Sequence, residues 1–220
     1  MPTKQSIDYF HAIANDDFYN FIIKESNEYA VEVLSVSESI NSRISRWKDL
    51  TVPELRMFLG LLFRMGTIKM NRITNYWKKH ALFNLMAFSQ YMARNRFLLI
   101  MRTLHFNNNE EDASSIGKIL QIIDFFNKRL DVIYNPTREI TIDESLVLWR
   151  GRLIIRQYMN GKKAKYGIKL YILGQSNGLA LNLIVYGGSA DKELGGKDHT
   201  NISPFFCLSL YFYGRTQFYF

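Results

Sequence analysis

Asp143 is the first candidate for chemistry in this chain of 220 residues. It lies in the segment 139–169, whose sequence is EITIDESLVLWRGRLIIRQYMNGKKAKYGIK. A carboxylate can bind divalent metal for phosphoryl transfer, but a two-metal site holds its ions about 3.5–4 Å apart between carboxylates from several elements. Glu144 is a poor partner, because adjacent residues of a strand point to opposite faces. The local pattern alone therefore favours a solvated acid that balances nearby arginines.

The same segment carries a concentration of positive charge. Residues 138–169 contain eight basic and three acidic residues, an excess of five positive charges. The basic residues are Arg138, Arg150, Arg152, Arg156, Lys162, Lys163, Lys165 and Lys169. Trp149, Tyr158 and Tyr166 are interleaved with them, a pattern typical of surfaces that contact phosphates and stack on bases or sugars. A solvated hairpin face whose charges serve solubility remains the alternative.

Other patterns of catalytic or metal-binding chemistry are weak. The histidines at positions 11, 80, 105 and 199 have no i, i+4 spacing with one another, and Cys207 is the single cysteine. The glycine-rich run GGSADKELGGK lacks the spacing of a phosphate-binding loop, which favours a flexible loop. We expect no disulfide within the chain, and this suits the cytosol or the nucleus.

The composition is that of a globular protein with a basic surplus. It is 47% hydrophobic and 22% charged, with a net charge of +8. Such a surplus favours polyanionic partners such as nucleic acid. We expect no membrane partner, because no apolar run reaches the length of a bilayer span and no secretory signal is evident.

The elements that must position these residues change in type near Pro136. Before it, apolar periodicity predicts helices. Asn15 or Asp16 is expected to cap one of them, Thr51 and Glu54 have the spacing of a capping box, and Gly66 is expected to end that helix. The runs 83–106 and 116–134 predict one amphipathic helix each.

After Pro136, alternation predicts three strands. In the first, Ile140, Ile142 and Glu144 lie on one face, and Thr141, Asp143 and Ser145 on the other. The runs KYGIKLYILG and LALNLIVYGG, joined by a turn at SNG, predict a hairpin. The last residues, 201–220, are so rich in Phe and Tyr that we expect an aberrant tail, such as a frameshift or a mispredicted splice would produce.

Several stretches resemble the piggyBac-type transposases and the host proteins derived from them. ITIDESLVLWRGRLIIRQYMNGKKAKYGIKLYIL looks like the family's signature around its first catalytic aspartate. ELRMFLGLLFRMG, NYW and MARNRFLLIMRTLHFNNNE are similar to its helical region, in the expected order. The resemblance covers about residues 7–200.

The resemblance implies an RNase H-like catalytic core, preceded by helices used for dimer formation and for binding transposon ends. It also implies three aspartates that bind divalent metal, Mg²⁺, with Asp143 as the first. The expected fold is α+β, with an all-helical N-terminal region followed by the first three strands of an incomplete RNase H-like sheet. We divide the chain into a helical dimerisation and DNA-binding region at 1–135, a partial catalytic core at 136–200 and the tail at 201–220.

The chain departs from the family at several points. The second aspartate, expected in a DN motif, and the third are not found, and Asp191 and Asp198 come too early. Gly174 and Gln175 replace the family's usual Cys and Asp. The cysteine-rich zinc domain is also missing, so the chain looks truncated. We therefore expect an incomplete metal site at Asp143 in which Mg²⁺ is not held tightly.

Three interpretations follow. The first is a nuclear, transposase-derived protein that does not cut DNA but binds it as a possible homodimer. Its expected DNA contacts are Arg150, Arg152, Arg156, Lys162, Lys163, Lys165 and Lys169. The second is a fragment of an active cut-and-paste transposase, and the third is a decayed relic without function.

Overall fold

The computed structural model describes residues 6–36, 43–80, 85–107, 116–136, 139–160 and 165–188. The helices are α1 (Ser6–Ile13), α2 (Asp16–Val36), α3 (Val52–Thr67), α4 (Met86–Tyr91), α5 (Arg94–Thr103) and α6 (Gly117–Ile133), with short 3-10 helices at Arg43–Arg46 and Ile73–Trp77. The strands are β1 (Ile140–Leu148), β2 (Arg156–Tyr158), β3 (Tyr166–Gln175) and β4 (Ala180–Val185). The predicted α+β class is confirmed.

Contacts divide the chain into two units, Ala14–Asn108 and the pair of segments Met1–Ile13 and Asn109–Phe220. The change from helix to strand falls between Ile133 and Ile140, on either side of Pro136. By contacts, however, α1 and α6 group with the sheet. The functional division at residues 135 and 200 stays a prediction, and the tail at 201–220 lies outside the described residues.

The unit Ala14–Asn108 is helical and packs around aromatic and aliphatic side chains. Tyr19 and Ile22 of α2, Phe58 of α3, and Phe97 and Ile100 of α5 are fully buried. Asn15 caps α2 as predicted, because its Oδ1 accepts a hydrogen bond from the backbone N–H of Phe18 at 3.1 Å.

The start of α3 differs from the prediction. Thr51 is the N-cap residue, but its side chain makes no capping hydrogen bond. Glu54 instead accepts two hydrogen bonds from Arg96 of α5, at 2.7 Å and 2.5 Å. The predicted capping box is therefore wrong, because a charge-assisted bond to another helix takes the Glu54 carboxylate. The helix also continues one residue beyond Gly66, to Thr67.

The helix predicted over residues 83–106 is two helices. Met92 and Ala93, between α4 and α5, have extended backbone conformations. The Met92 side chain is buried, and its carbonyl accepts a hydrogen bond from the Trp77 indole at 2.8 Å. The prediction of one continuous helix is wrong, because the chain turns here to bury Met92 and bond to Trp77.

The sheet is antiparallel throughout, and β3 is its central strand. β1 pairs along one side of β3, while β2 and β4 pair along the other. The three predicted strands and the β3–β4 hairpin are confirmed, and Gly178 at the turn has a φ of 85°. The short strand β2 was not predicted. It adds a second hairpin, with β3, across residues 159–165.

The sheet has two unlike faces. One, the Tyr171 face, carries Tyr171 and Leu173, which form a small buried core with Leu181. The other, the Asp143 face, carries Asp143 of β1 and, opposite it, Ile172 of β3. The edge strand β4 is covered by α6, whose Asn127 amide donates to the Leu183 carbonyl at 2.9 Å and accepts from its N–H at 3.0 Å. This bond pair satisfies the backbone at a strand edge.

Among the helices in the described ranges, none has the length and apolarity that would carry it across a bilayer.

Candidate nucleic-acid interface and the Asp143 position

Asp143 lies in the middle of β1, opposite Ile172 of β3. The predicted alternation is confirmed: Glu144 is paired with Tyr171 on the opposite face. The Asp143 side chain is exposed, and its Oδ1 accepts a hydrogen bond from the backbone N–H of Glu144 at 2.7 Å. The carboxylate is thus accessible from solvent and keeps its second oxygen for another ligand.

A two-metal site needs further carboxylates close to Asp143. No cluster of three or more His, Cys, Asp or Glu side chains able to hold a metal ion occurs in the described part of the chain. Glu144, its neighbour in sequence, points away through the sheet. The described residues therefore do not fit a two-metal Mg²⁺ centre, and Asp143 offers one carboxylate of such a site.

Glu144 belongs to a half-buried charged cluster on the Tyr171 face. Its carboxylate lies 3.3 Å from the Lys169 ammonium. The ammonium also lies 4.6 Å from the ring centroid of Tyr171 and 5.4 Å from that of Tyr186. Burial lowers the pKa of Lys169, but hydrogen bonds with Tyr171 and Glu144 outweigh it, so that the net pKa is raised. Burial has the opposite effect on the Tyr171 hydroxyl, which is neutral when protonated, and raises its pKa.

Lys169 thus differs from the other basic residues predicted to contact nucleic acid. It is ion-paired on the face opposite Asp143, and its side chain is only 14% exposed. Its predicted contact with DNA stays a prediction. The geometry places Lys169 apart from the exposed cations.

Four predicted basic residues gather at one end of the sheet. Arg150 and Arg152 follow β1, Arg156 begins β2, and Lys165 precedes β3, and all four are exposed. We call these four residues the basic surface. Lys162 and Lys163, in the β2–β3 connection, lie outside the described residues. From Ser145 to Ala190 the sequence has no acidic residue, so nothing along this stretch offsets the charge.

Two exposed tyrosines lie beside these cations. Tyr158 and Tyr166 are directly opposite on β2 and β3, with ring centroids 5.0 Å apart. The Arg156 guanidinium lies 5.1 Å from the Tyr166 ring centroid. By strand alternation, Tyr166 and Ile172 project from the same face, and Ile172 is opposite Asp143. The tyrosine pair and Asp143 therefore share one face of the sheet.

Trp149 completes this group at the end of β1. Its backbone N–H donates to the Tyr166 carbonyl at 3.4 Å, and its side chain is 44% exposed. Its indole lies over Gly151, where an added Cβ would come within 2.7 Å of the indole Nε1. Gly151 therefore leaves room for this position of the indole.

Sequence reasoning missed β2 and the packing of Trp149 on Gly151. The strand has three residues, too few for an alternation signal. In the sequence motif RGR, the glycine lacks a Cβ, and the Trp149 indole occupies the space this leaves. Which side chain uses the space could not be read from it.

Comparisons with known proteins agree with this architecture. The family model described as "Transposase IS4" matches residues 5–210. The chain, which has a helical unit and an antiparallel sheet with an exposed aspartate on its first strand, therefore belongs to the transposase family that this model describes. Specifically, the chain is a member of the piggyBac-type transposase family, as the motifs indicated.

Two human relatives show the extent of the similarity. PiggyBac transposable element-derived protein 3 of Homo sapiens is 26% identical over 159 residues, which are 71% of this chain and 25% of that protein. PiggyBac transposable element-derived protein 2 of Homo sapiens is 28% identical over 172 residues, 77% of this chain and 27% of that protein. The chain therefore spans about a quarter of the length of these relatives.

A solved structure shares the fold. It is a cryo-EM structure of a piggyBac transposase synaptic complex with hairpin DNA. The TM-score is 0.70 and the sequence identity 22%, and the match covers 95% of this chain and 43% of that one.

Proposed function

We propose that the 220-residue chain is a transposase-derived DNA-binding protein that does not cut DNA by itself. The observation that carries the proposal is the basic surface: four exposed cations at one end of a sheet, in a stretch from Ser145 to Ala190 without an acidic residue. A structural neighbour was solved with DNA, which supports this partner.

Counterion release would drive DNA binding at this surface. Duplex DNA carries a condensed layer of cations, and each arginine or lysine that neutralises a phosphate releases some of them. The planar guanidinium groups of Arg150, Arg152 and Arg156 can form bidentate bonds to phosphate. Lys162 and Lys163 extend the same sequence stretch and are proposed as further contacts.

The same proposal includes the core fold and its metal. We propose that β1, β3 and β4 are the first strands of an RNase H-like core, in which Asp143 is the first of three carboxylates. One carboxylate supplies too little negative charge to hold two Mg²⁺ ions against hydration, and the transition state would lack its main stabilisation. For this reason we expect no strand cleavage by this chain.

DNA affinity of a double variant tests the proposal. Arg150→Gln together with Arg152→Gln is expected to weaken binding to a fluorescent duplex about tenfold or more at low salt, measured by anisotropy. The matched control is Arg64→Gln with Arg102→Gln, which removes the same charge from exposed positions on helices. Equal losses in the two double variants would mean that only net charge matters, and the proposed surface would be wrong.

A second function, catalysis within a longer transposase, is favoured by the position of Asp143. Its exposed carboxylate lies on the face that also carries Arg156 and Tyr166. A DNA substrate bound at the basic surface could therefore extend along β1 to this carboxylate. Purified chain should leave supercoiled DNA intact with Mg²⁺ or Mn²⁺. Nicking that Asp143→Ala abolishes would instead establish catalysis.

A DNA partner implies a nuclear protein, and the family's helical region supplies the proposed route to a homodimer. Fractionation of expressing cells and sedimentation of the purified chain test these two proposals separately. A strictly monomeric chain that still binds DNA would remove the dimer from the proposal and leave the DNA contact.

A further inference from the structure

We infer that the basic end of the sheet selects unpaired nucleotides, with Trp149, Tyr158 and Tyr166 stacking on their bases. This inference rests on the proposed function, since it takes DNA as the ligand of the same surface. It names the form of DNA: single-stranded or locally unpaired, not a continuous duplex. We call the three side chains the aromatic surface.

The exposure of these rings is the first argument. Tyr158 is 54% and Tyr166 49% exposed, and Trp149 is 44% exposed. Aromatic side chains of this size normally contribute to a core or to an interface. Three of them lie within one small region beside exposed arginines. Such a surface can contact bases through its rings and phosphates through its guanidinium groups.

The arrangement of rings and cations is the second argument. Arg156 lies against the Tyr166 ring, which itself lies against the Tyr158 ring. Proteins that bind single strands combine such a cationic track with rings on which successive bases stack. In a duplex the bases are stacked on one another, so these rings would meet only sugar and phosphate, and their flat faces would gain little.

The packing of Trp149 is the third argument. Its indole occupies the space that Gly151 leaves open, between Arg150 and Arg152 in sequence. The guanidinium groups on either side can bind the phosphates of a nucleotide whose base reaches the indole. Gly151 is therefore a positioning residue for Trp149, and it changes no charge when substituted.

The position of the surface relative to Asp143 adds a geometric consequence. Tyr166 lies six residues along β3 from Ile172, the residue opposite Asp143, which at strand geometry is about 20 Å. Unpaired nucleotides on the aromatic surface would therefore lie well away from the Asp143 carboxylate. DNA that extends from this surface along the same face would pass over it.

The test compares two probes on the full chain: fluorescein-labelled oligodeoxythymidine of about 12 nucleotides, and a duplex of the same length. Tyr158→Ala and Trp149→Ala are each expected to raise the Kd for the single strand about tenfold, with the Kd for the duplex changed less than about twofold. Tyr158→Phe keeps the ring and is expected to retain single-strand affinity. Circular dichroism and thermal unfolding verify that each variant is folded.

Gly151→Ala provides a second route that leaves every ring and charge in place. It should displace the indole and raise the Kd for the single-strand probe about as much as Trp149→Ala does. The double variant Gly151→Ala with Trp149→Ala should lose no more single-strand affinity than Trp149→Ala alone. Both substitutions would remove the same contact between the indole and a base.

The outcomes separate this inference from the proposed function. If the arginine variants lose DNA while the alanine variants bind both probes as the unsubstituted chain does, the inference is wrong and the DNA-binding proposal stands. Equal losses for single strand and duplex also overturn the inference, because the rings would then serve structure. If the unsubstituted chain binds neither probe, the inference and the DNA-binding proposal are both overturned.

Discussion

At the scale of single residues, Lys169 shows how neighbours decide the role of a charge. Its sequence context is that of the other cations, yet it is paired with Glu144 and surrounded by two tyrosine rings on the Tyr171 face. A lone ammonium there would be costly, so the carboxylate and the rings must come with it. The exposed Lys165, four residues before it, has no such constraint.

Lys169→Met is predicted to destabilise the sheet unit by about 1–3 kcal/mol, between the values for exposed and buried ion pairs. The substitution leaves the Glu144 carboxylate half-buried without its cation. Urea unfolding measures the loss, and Lys165→Met, which should cost less than about 0.5 kcal/mol, is the matched control. Equal stability of the two variants would contradict the pairing.

The same cluster predicts a dependence on alkaline pH. The folded pKa values of Lys169 and Tyr171 are raised above their ordinary values of 10.5 and 10.0, so the folded chain binds both protons more tightly. Their contribution to stability is complete below these values and is lost as the pH rises through the folded pKa values. The free energy of unfolding should therefore fall as the pH rises above about 10, and fall less in Lys169→Met.

At the scale of elements, the two helix starts make an informative pair. Asn15 caps α2 with its side chain, while Thr51 lies at the same position of α3 without such a bond. Asn15→Ala should therefore lower stability by about 1 kcal/mol, whereas Thr51→Ala should cost clearly less. Thermal unfolding of the two variants side by side measures this. The reverse order would mean that Glu54 and Thr51 form the capping box after all.

The two glycines Gly60 and Gly167 give opposite predictions. Gly60 lies in the middle of α3 and is exposed to solvent, and an added Cβ there meets no atom within 4 Å. Gly60→Ala should therefore stabilise the folded chain by about 0.5–1 kcal/mol. At Gly167 the Cβ would clash with the Val147 carbonyl of β1, which cannot swing aside as a side chain can. Gly167→Ala should therefore destabilise by about 1–3 kcal/mol. Differential scanning calorimetry distinguishes them.

The elements also show what could be predicted from the sequence. The alternation around Asp143, the β3–β4 hairpin and α6 follow from local periodicity and turn residues, and these were predicted. The break at Met92 depends on Trp77, and the fate of Glu54 depends on Arg96, which lies 42 residues away. Contacts between distant segments leave no local pattern, which is why the capping box and the single long helix were wrong.

At the scale of the whole molecule, the charge distribution carries the account. The chain has a net charge of +8, and the residues from Ser145 to Ala190 contribute seven positive charges and no negative one. The acids are thus concentrated elsewhere, and the field at the basic surface is stronger than the net charge alone suggests. The stretch of sequence that carries the basic residues could be predicted, whereas the way β2 brings them to one end of the sheet could not.

The salt dependence of DNA binding tests the central claim most directly. For the unsubstituted chain, log Kobs should fall linearly with log salt concentration. Arg150→Gln with Arg152→Gln should reduce the magnitude of that slope by about 2, and Arg64→Gln with Arg102→Gln should leave it unchanged. A slope that is the same in all three proteins would contradict the assignment of DNA binding to this surface.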